Sequence, residues 1–287
     1  ATNWRGPGGS TDPAVMAAAL QRAGGEPPPP AGDWALGNVP AGMTLVADTD
    51  HTTLTPGGWA FAERGYSPDP VVVAEASPVA SAFVRQSWEG VVDGQSPNYL
   101  YHSLENASEI YVGSIMRLSS AWLWHILSYG CKWHTILTSN GAGWMTAQPF
   151  NAGRAGTTGW PWTDQIGRGS SAWWPLNTSH PEGGAYVLYE TASGDMVQAN
   201  PSAVETVNGE WFKLECHINF GTGLVRHWIN DVLTGDSAAE GFSWSFPGGT
   251  VAQQLQLGST MGGGNGLGTL TADYYADYAR TAIYRRA

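Results

Sequence analysis

The chain has 287 residues, enough to bury a large core, and its 24 acidic against 13 basic side chains give a formal charge of −11. Only two of the basic residues are lysines and none of the bases cluster, so the charge pattern speaks against a nucleic-acid duplex or an anionic membrane surface as partner. With 13% charged residues, 38 Gly, 18 Pro and 15 Trp, the composition excludes a helix bundle or coiled coil and suits a turn-rich β domain with an aromatic surface.

Residues 1–32 differ in kind from the rest. Asp12-Pro13 followed by AVMAAALQRA and Gly24-Gly25 predicts one short helix, with Asp12 as N-cap, Pro13 as first helical residue and Gly24 as the stop. The flanks RGPGGS and GEPPPPAG read as a flexible leader and a polyproline spacer. A lone helix of about three turns is marginal in water. The arm is therefore expected to dock, either on its own domain or, through residues 1–30, on a copy of the chain or another assembly subunit. A start at Ala1-Thr2 fits removal of a secretory leader or of an initiator Met. No apolar run reaches the ~20 residues of a membrane helix, so no membrane insertion is expected.

Residues 33–287 read as one β domain of short strands separated by Gly, Pro, Asn and Ser. Strands are expected at 109–118, 131–138, 185–191, 210–220, 224–230, 252–258 and 274–285, and 140–184 reads as long loops. The clearest is EWFKLECHINF at 210–220. Phe212, Leu214, Cys216, Ile218 and Phe220 share one face, expected in a core; Trp211, Lys213, Glu215, His217 and Asn219 share the other, expected in water or a groove. Gly221-Thr222-Gly223 then turns a hairpin into LVRHWIN. Strands without intervening helices predict an antiparallel sandwich.

Several of these segments together resemble a known family. WFKLECHINF with LVRHWINDVLTGD is similar to the paired strands of concanavalin A-like lectin/glucanase domains. IYVGSIMRLSSAW resembles an earlier strand of those domains, CKWHTIL the next, and GSTMGGGNG with DYYADYARTAIY the closing Gly-rich turn and last strand. The resemblance covers about residues 40 to 286. It implies an all-β fold, a concanavalin A-like jelly-roll sandwich of two antiparallel sheets, here with a short N-terminal helical arm. Relatives of that kind include lectins, carbohydrate-binding modules, laminarinase-type glycosidases and polysaccharide lyases, and the fold does not choose among them.

The chemistry narrows the choice. The laminarinase-type E-x-D-x-x-E string, which would supply paired carboxylates, is absent. A polysaccharide lyase must neutralise a uronate carboxylate and remove the C5 proton with a base. Lys132, His134, Lys213, His217 and Arg226 are the candidates, although the R-x-E-x-R and Q-x-H strings of alginate lyases with this fold are absent. No G-x-S-x-G elbow or phosphate loop is present. Asp48, Asp50, Asp273 and Asp277 are candidates for a structural calcium ion, the sole cofactor the sequence suggests. The tryptophans suit stacking on sugar rings, and Trp144, Trp160, Trp162, Trp173, Trp174 and Trp211, with Asn219, are the candidate glycan contacts. The first expectation is a non-catalytic glycan-binding or structural subunit of an extracellular or virion surface, anchored partly by the arm. The alternative is a lyase acting on a uronate-containing polymer by β-elimination.

Overall fold

The computed structural model describes residues 33–92, 95–120, 131–139, 144–149, 162–167, 186–190, 196–199, 209–236, 238, 249–261 and 269–287. The predicted arm at 1–32, with its helix and its docking role, lies outside them. Sixteen strands occur among the described residues: β1 Thr44–Thr49, β2 Trp59–Ala62, β3 Val71–Val73, β4 Phe83–Ser87, β5 Tyr99–Ala107, β6 Glu109–Leu118, β7 Cys131–Thr138 and β8 Trp144–Pro149 form the first half. The second half is β9 Trp162–Gly167, β10 Tyr186–Glu190, β11 Met196–Ala199, β12 Trp211–Asn219, β13 Leu224–Ile229, β14 Val232–Asp236, β15 Ala252–Met261 and β16 Tyr275–Arg286.

They form two sheets. In the first the order is β14-β13-β12-β6-β16-β4-β3, with β1 beside the second half of β16. In the second it is β11-β10-β9-β8-β7-β15-β5-β2, antiparallel except for the parallel pair β9 and β10. The all-β sandwich expected from the sequence is therefore present. One expectation is corrected: 140–184 is not all loop, since β8 and β9 extend the second sheet there. Each is only six residues long, and polar Thr and Gln interleave with Trp and Met, so periodicity alone does not single them out.

The core lies between the sheets. Phe212, Leu214, Cys216, Ile218 and Phe220 all face inward and are buried, with Val112, Met116, Ile136, Leu255, Leu257 and Ile283 among their neighbours in one apolar cluster. Burying each large aliphatic or aromatic side chain contributes about 1.5–3 kcal/mol. A bulge between Tyr278 and Arg280 in β16 lets Tyr278 and Thr281, three residues apart, both face inward.

A polar chain crosses this core. The His134 ring lies 2.8 Å from the Ser114 hydroxyl, which lies 3.1 Å from that of Thr281, which in turn lies 3.0 Å from the His51 ring. All four side chains are fully buried. Burial pushes the pKa of both rings down to about 3, so both are neutral.

Candidate functional site

The outer face of the first sheet gathers most of the polar residues the sequence singles out. Strand register arranges them in transverse rows. Trp211 pairs with Arg117, Arg117 with Asp277, and Asp277 with Arg85. Further along, Glu215 lies across from Gly113 and Ala282, His217 from Tyr111 and Tyr284, and Asn219 from Glu109 and Arg286.

The alternation that places Lys213, Glu215 and His217 on this face is as expected from the sequence, but their exposure is not. Lys213 is 5% exposed, Glu215 0% and His217 2%. The segment 33–42 lies over Lys213 and Glu215 like a strap. The Lys213 ammonium donates to the Asp33 and Ala35 carbonyls at 2.9 and 3.2 Å and pairs with Asp231. The Asn38 side-chain amide donates to Glu215 at 2.8 Å, and the Tyr111 hydroxyl donates to the same carboxylate. Arg286 donates to the Ala41 carbonyl at 2.8 Å. Gly113 makes the close approach possible, because a Cβ there would sit 3.0 Å from both Leu36 methyls and from the Tyr111 hydroxyl. A buried ammonium needs acceptors and a buried carboxylate needs donors, and the strap supplies both.

His217 is held differently. Its Nε2 lies 2.7 Å from Glu109, whose other oxygen pairs with Arg286. Glu109 can only accept, so Nε2 carries the proton and Nδ1 presents its lone pair. That Nδ1 is buried and has no hydrogen-bond partner among the described residues. Desolvation lowers the His217 pKa, with Arg226 and Arg286 pressing the same way and Glu109 opposing. Tyr111, buried beside Glu215, is pushed well above the usual phenol range. Arg226 is paired with Asp236 at 2.9 Å and is partly exposed.

The remaining candidates scatter. His134 is on the other sheet and points into the core, bonded to Ser114, so it lines no groove. Its inward neighbours Leu257 and Leu255 across β15 show why, since they fix that face of β7 as apolar. The side chain of Lys132, and those of Trp144 on β8 and Trp162 on β9, lie outside the described residues, as do Trp160, Trp173 and Trp174 entirely. Asn219 accepts from the Thr222 amide at 2.9 Å through its side-chain oxygen and so caps the hairpin turn. Trp211 is half-buried, edge-on to Phe83 and under the Arg117 guanidinium.

The calcium candidates do not converge. Asp48 forms a bidentate pair with Arg280 at 2.8 Å, and Asp50 accepts from Thr52 at 2.8 Å. Both line a cleft of about 530 Å³ beside β1. Asp273 accepts from Thr271, and Asp277, fully buried, is enclosed by Arg85 and Arg117. A cation would have to displace guanidinium from Asp48 or Asp277. Among the described residues no group of three or more His, Cys, Asp or Glu is arranged for a metal ion.

Glu109, Tyr111 and Arg286 are site residues that the sequence reading left out. For Glu109 and Tyr111 the signal is the alternation of EIYVGSIMR, in which Glu109, Tyr111, Gly113, Ile115 and Arg117 share the face opposite the core; Arg286 lies on β16, across from Glu109.

No family model matches the sequence, and no curated protein matches it either. Solved structures do. An endo-β-1,4-glucuronan lyase from the fungus Trichoderma reesei superposes with a TM-score of 0.54 at 12% identity, covering 85% of this chain and 96% of its own. A marine PL-14 alginate lyase from Aplysia kurodai superposes with a TM-score of 0.52 at 7% identity, covering 85% and 100%. At such identities the likeness is one of fold. This chain is a two-sheet β-sandwich similar in fold to concanavalin A-like jelly-roll proteins.

Proposed function

We propose that this chain is a polysaccharide lyase acting on a uronate-containing polymer, with the outer face of the first sheet as its substrate face. The observation that carries the reading is the Glu109–His217 pair: a neutral imidazole oriented through Nε2, with a lone pair on Nδ1, between the guanidiniums of Arg226 and Arg286. In β-elimination a base takes the C5 proton, the C–H electrons become the C4–C5 double bond, and the C4–O bond breaks with its electrons going to the departing sugar oxygen, which takes a proton from water. His217 has the protonation state of that base, and Arg226 and Arg286 have the charge that neutralises the carboxylate and so makes C5–H acidic. Two lyases of uronate polymers share the fold, which fits the reading. The strap bonds to Glu215 and Arg286 on either side of His217, so the ring meets substrate once the strap is released.

A second reading, a non-catalytic carbohydrate-binding or structural sandwich at a surface, is favoured by one observation, the 2% exposure of His217. Incubating the chain with glucuronan, alginate and pectate while following the ultraviolet absorbance of the unsaturated uronate product separates the two. The lyase reading expects signal with at least one polymer, lost in His217→Ala and in Glu109→Gln. Binding without signal on any of the three supports the second reading.

A further inference from the structure

At the end of the same face lies a second polar cluster, which the Glu109–His217 pair does not use; the strap meets its apolar base, where Trp34 and Leu36 share a cluster with Phe83 and Trp211. Asp277 is 0% exposed and sits between two guanidiniums. Arg85 donates from Nε and Nη2 to its two oxygens at 2.7 and 3.0 Å, and Arg117 donates from Nε and Nη2 to Oδ2 at 3.0 and 2.7 Å. Each guanidinium has five N–H donors, so each keeps three without a protein partner among the described residues. One carboxylate against two cations leaves one positive charge in excess. Glu75 is the further acid that acts on Arg85, and its influence there is the smallest of those on that group.

Aromatic rings complete the row. The Arg85 guanidinium stacks 3.8 Å over the centroid of Tyr275, and Arg117 lies 4.7 Å over Trp211, with Phe83 beneath both at 5.7 and 5.2 Å. The side chains of Arg85 and Arg117 are 26% and 20% exposed, so their unpaired donors face outward. A pair of forks fixed from below by a buried carboxylate and from the side by rings has already lost its rotamer freedom, which lowers the entropic cost of binding an anion.

We propose that Trp211, Arg117, Arg85 and Tyr275, held by Asp277, form a subsite for one acidic unit of a glycan: the guanidiniums take its anionic group and the aromatic edges take the apolar face of its ring. It lies six residues along β12 from His217, about 20 Å at strand spacing. The choice of a polymer as ligand rests on the function proposed above; the anion binding itself needs no cleavage.

The test is calorimetric titration of the full chain with a glucuronate trimer, a sulfated cellotriose and plain cellotriose. The subsite expects either anionic trimer to bind at least tenfold more tightly than cellotriose, and Arg117→Lys or Arg85→Lys to remove about tenfold of that. The lysine variants keep the charge beside Asp277 but lose the fork. A readout on the unaltered chain guards against a variant that fails to fold: with 15N-labelled arginine, the Nε–H resonances of Arg85 and Arg117 shift on adding whichever trimer binds. Equal affinity for all three trimers, unmoved Nε–H resonances, or lysine variants that bind as the parent does would each overturn the subsite. Arg-dependent binding without any unsaturated product leaves the subsite standing and removes the lyase; product formed with unchanged KM in both lysine variants does the reverse.

Discussion

Acid should unfold this sandwich through its interior before it titrates its surface. His134 has an ordinary imidazole pKa of 6.5 in the unfolded chain and about 3 in the fold, with desolvation the cause. Between those values the unfolded chain binds a proton that the folded chain refuses, so stability falls as pH falls. The slope is about 1.4 kcal/mol per pH unit, and it accumulates to about 2.5 kcal/mol between pH 7 and pH 4.5 for this one residue. His51, at the far end of the same chain, is depressed equally and adds a similar amount, and His217 pushes in the same direction. Together these losses are of the order of a typical domain's whole stability, about 5–15 kcal/mol. The assay is urea unfolding at a series of pH values, followed by tryptophan fluorescence, for which Trp133 beside His134 is a core reporter in contact with Trp88. His134→Gln isolates the effect, because an amide nitrogen can replace the bond from the ring Nε2 to Ser114 and carries no titratable proton. The variant should lose about 1.4 kcal/mol per pH unit of the parent's slope between pH 6 and pH 4.5. Parallel lines for parent and variant would refute the reasoning.

Other expectations come from the same geometry. Gly258 has φ +58°, and a Cβ there would lie 2.6 Å from the Trp88 ring, 2.9 Å from the Gln86 amide and 3.0 Å from the Tyr278 hydroxyl. Gly258→Ala should therefore cost more than about 2 kcal/mol in urea unfolding, and a parental midpoint would show that the core gives way there. Asp277→Asn should cost about 3 kcal/mol, because four charge-assisted bonds to Arg85 and Arg117 weaken at once; a loss below 1 kcal/mol would mean the arginines hold themselves. Asn38→Ala removes the strap's side-chain bond to Glu215, leaving the longer one from its backbone amide, and should cost about 1 kcal/mol, with roughly fivefold faster amide hydrogen exchange across 33–42 and no change in β12. Equal acceleration in both would mean that strap and sheet open as one unit.

The fold was legible where alternation ran long. The strands at 109–118 and 131–138 were bounded to the residue, and 210–220, 224–230 and 274–285 to within one or two. The clearest is 210–220, where one face is apolar at all five positions from Phe212 to Phe220. The first third of the domain was not readable in this way, since β2, β3 and β4 have three to five residues and too few repeats to show a period. The face carrying the site was legible too, but not its covering. Alternation states which side of a sheet a lysine takes; it does not state whether a distant segment lies over it. That Lys213 is satisfied by the carbonyls of Asp33 and Ala35, about 180 positions away, is a property of tertiary packing alone. The same holds for His134, a polar residue inside a core because Ser114 awaits it across the sandwich. The tryptophan-rich stretch, the strongest compositional signal for sugar binding, falls almost wholly outside the described residues, so the glycan contacts proposed from it rest on composition.

The position of β16 has a consequence for how the molecule is built. It follows the other fifteen described strands in sequence, yet it lies inside its sheet, gripped by β6 along one edge and by β4 and β1 along the other. Until Tyr275–Arg286 has left the ribosome, those three strands have an empty slot between them and exposed edges on both sides of it. Closure must wait until this strand has been made, and the partners that meet there are separated by up to 241 positions, as Thr44 and Arg285 are. Such a chain gains its half-sandwich all at once, late, and is at its most aggregation-prone just before.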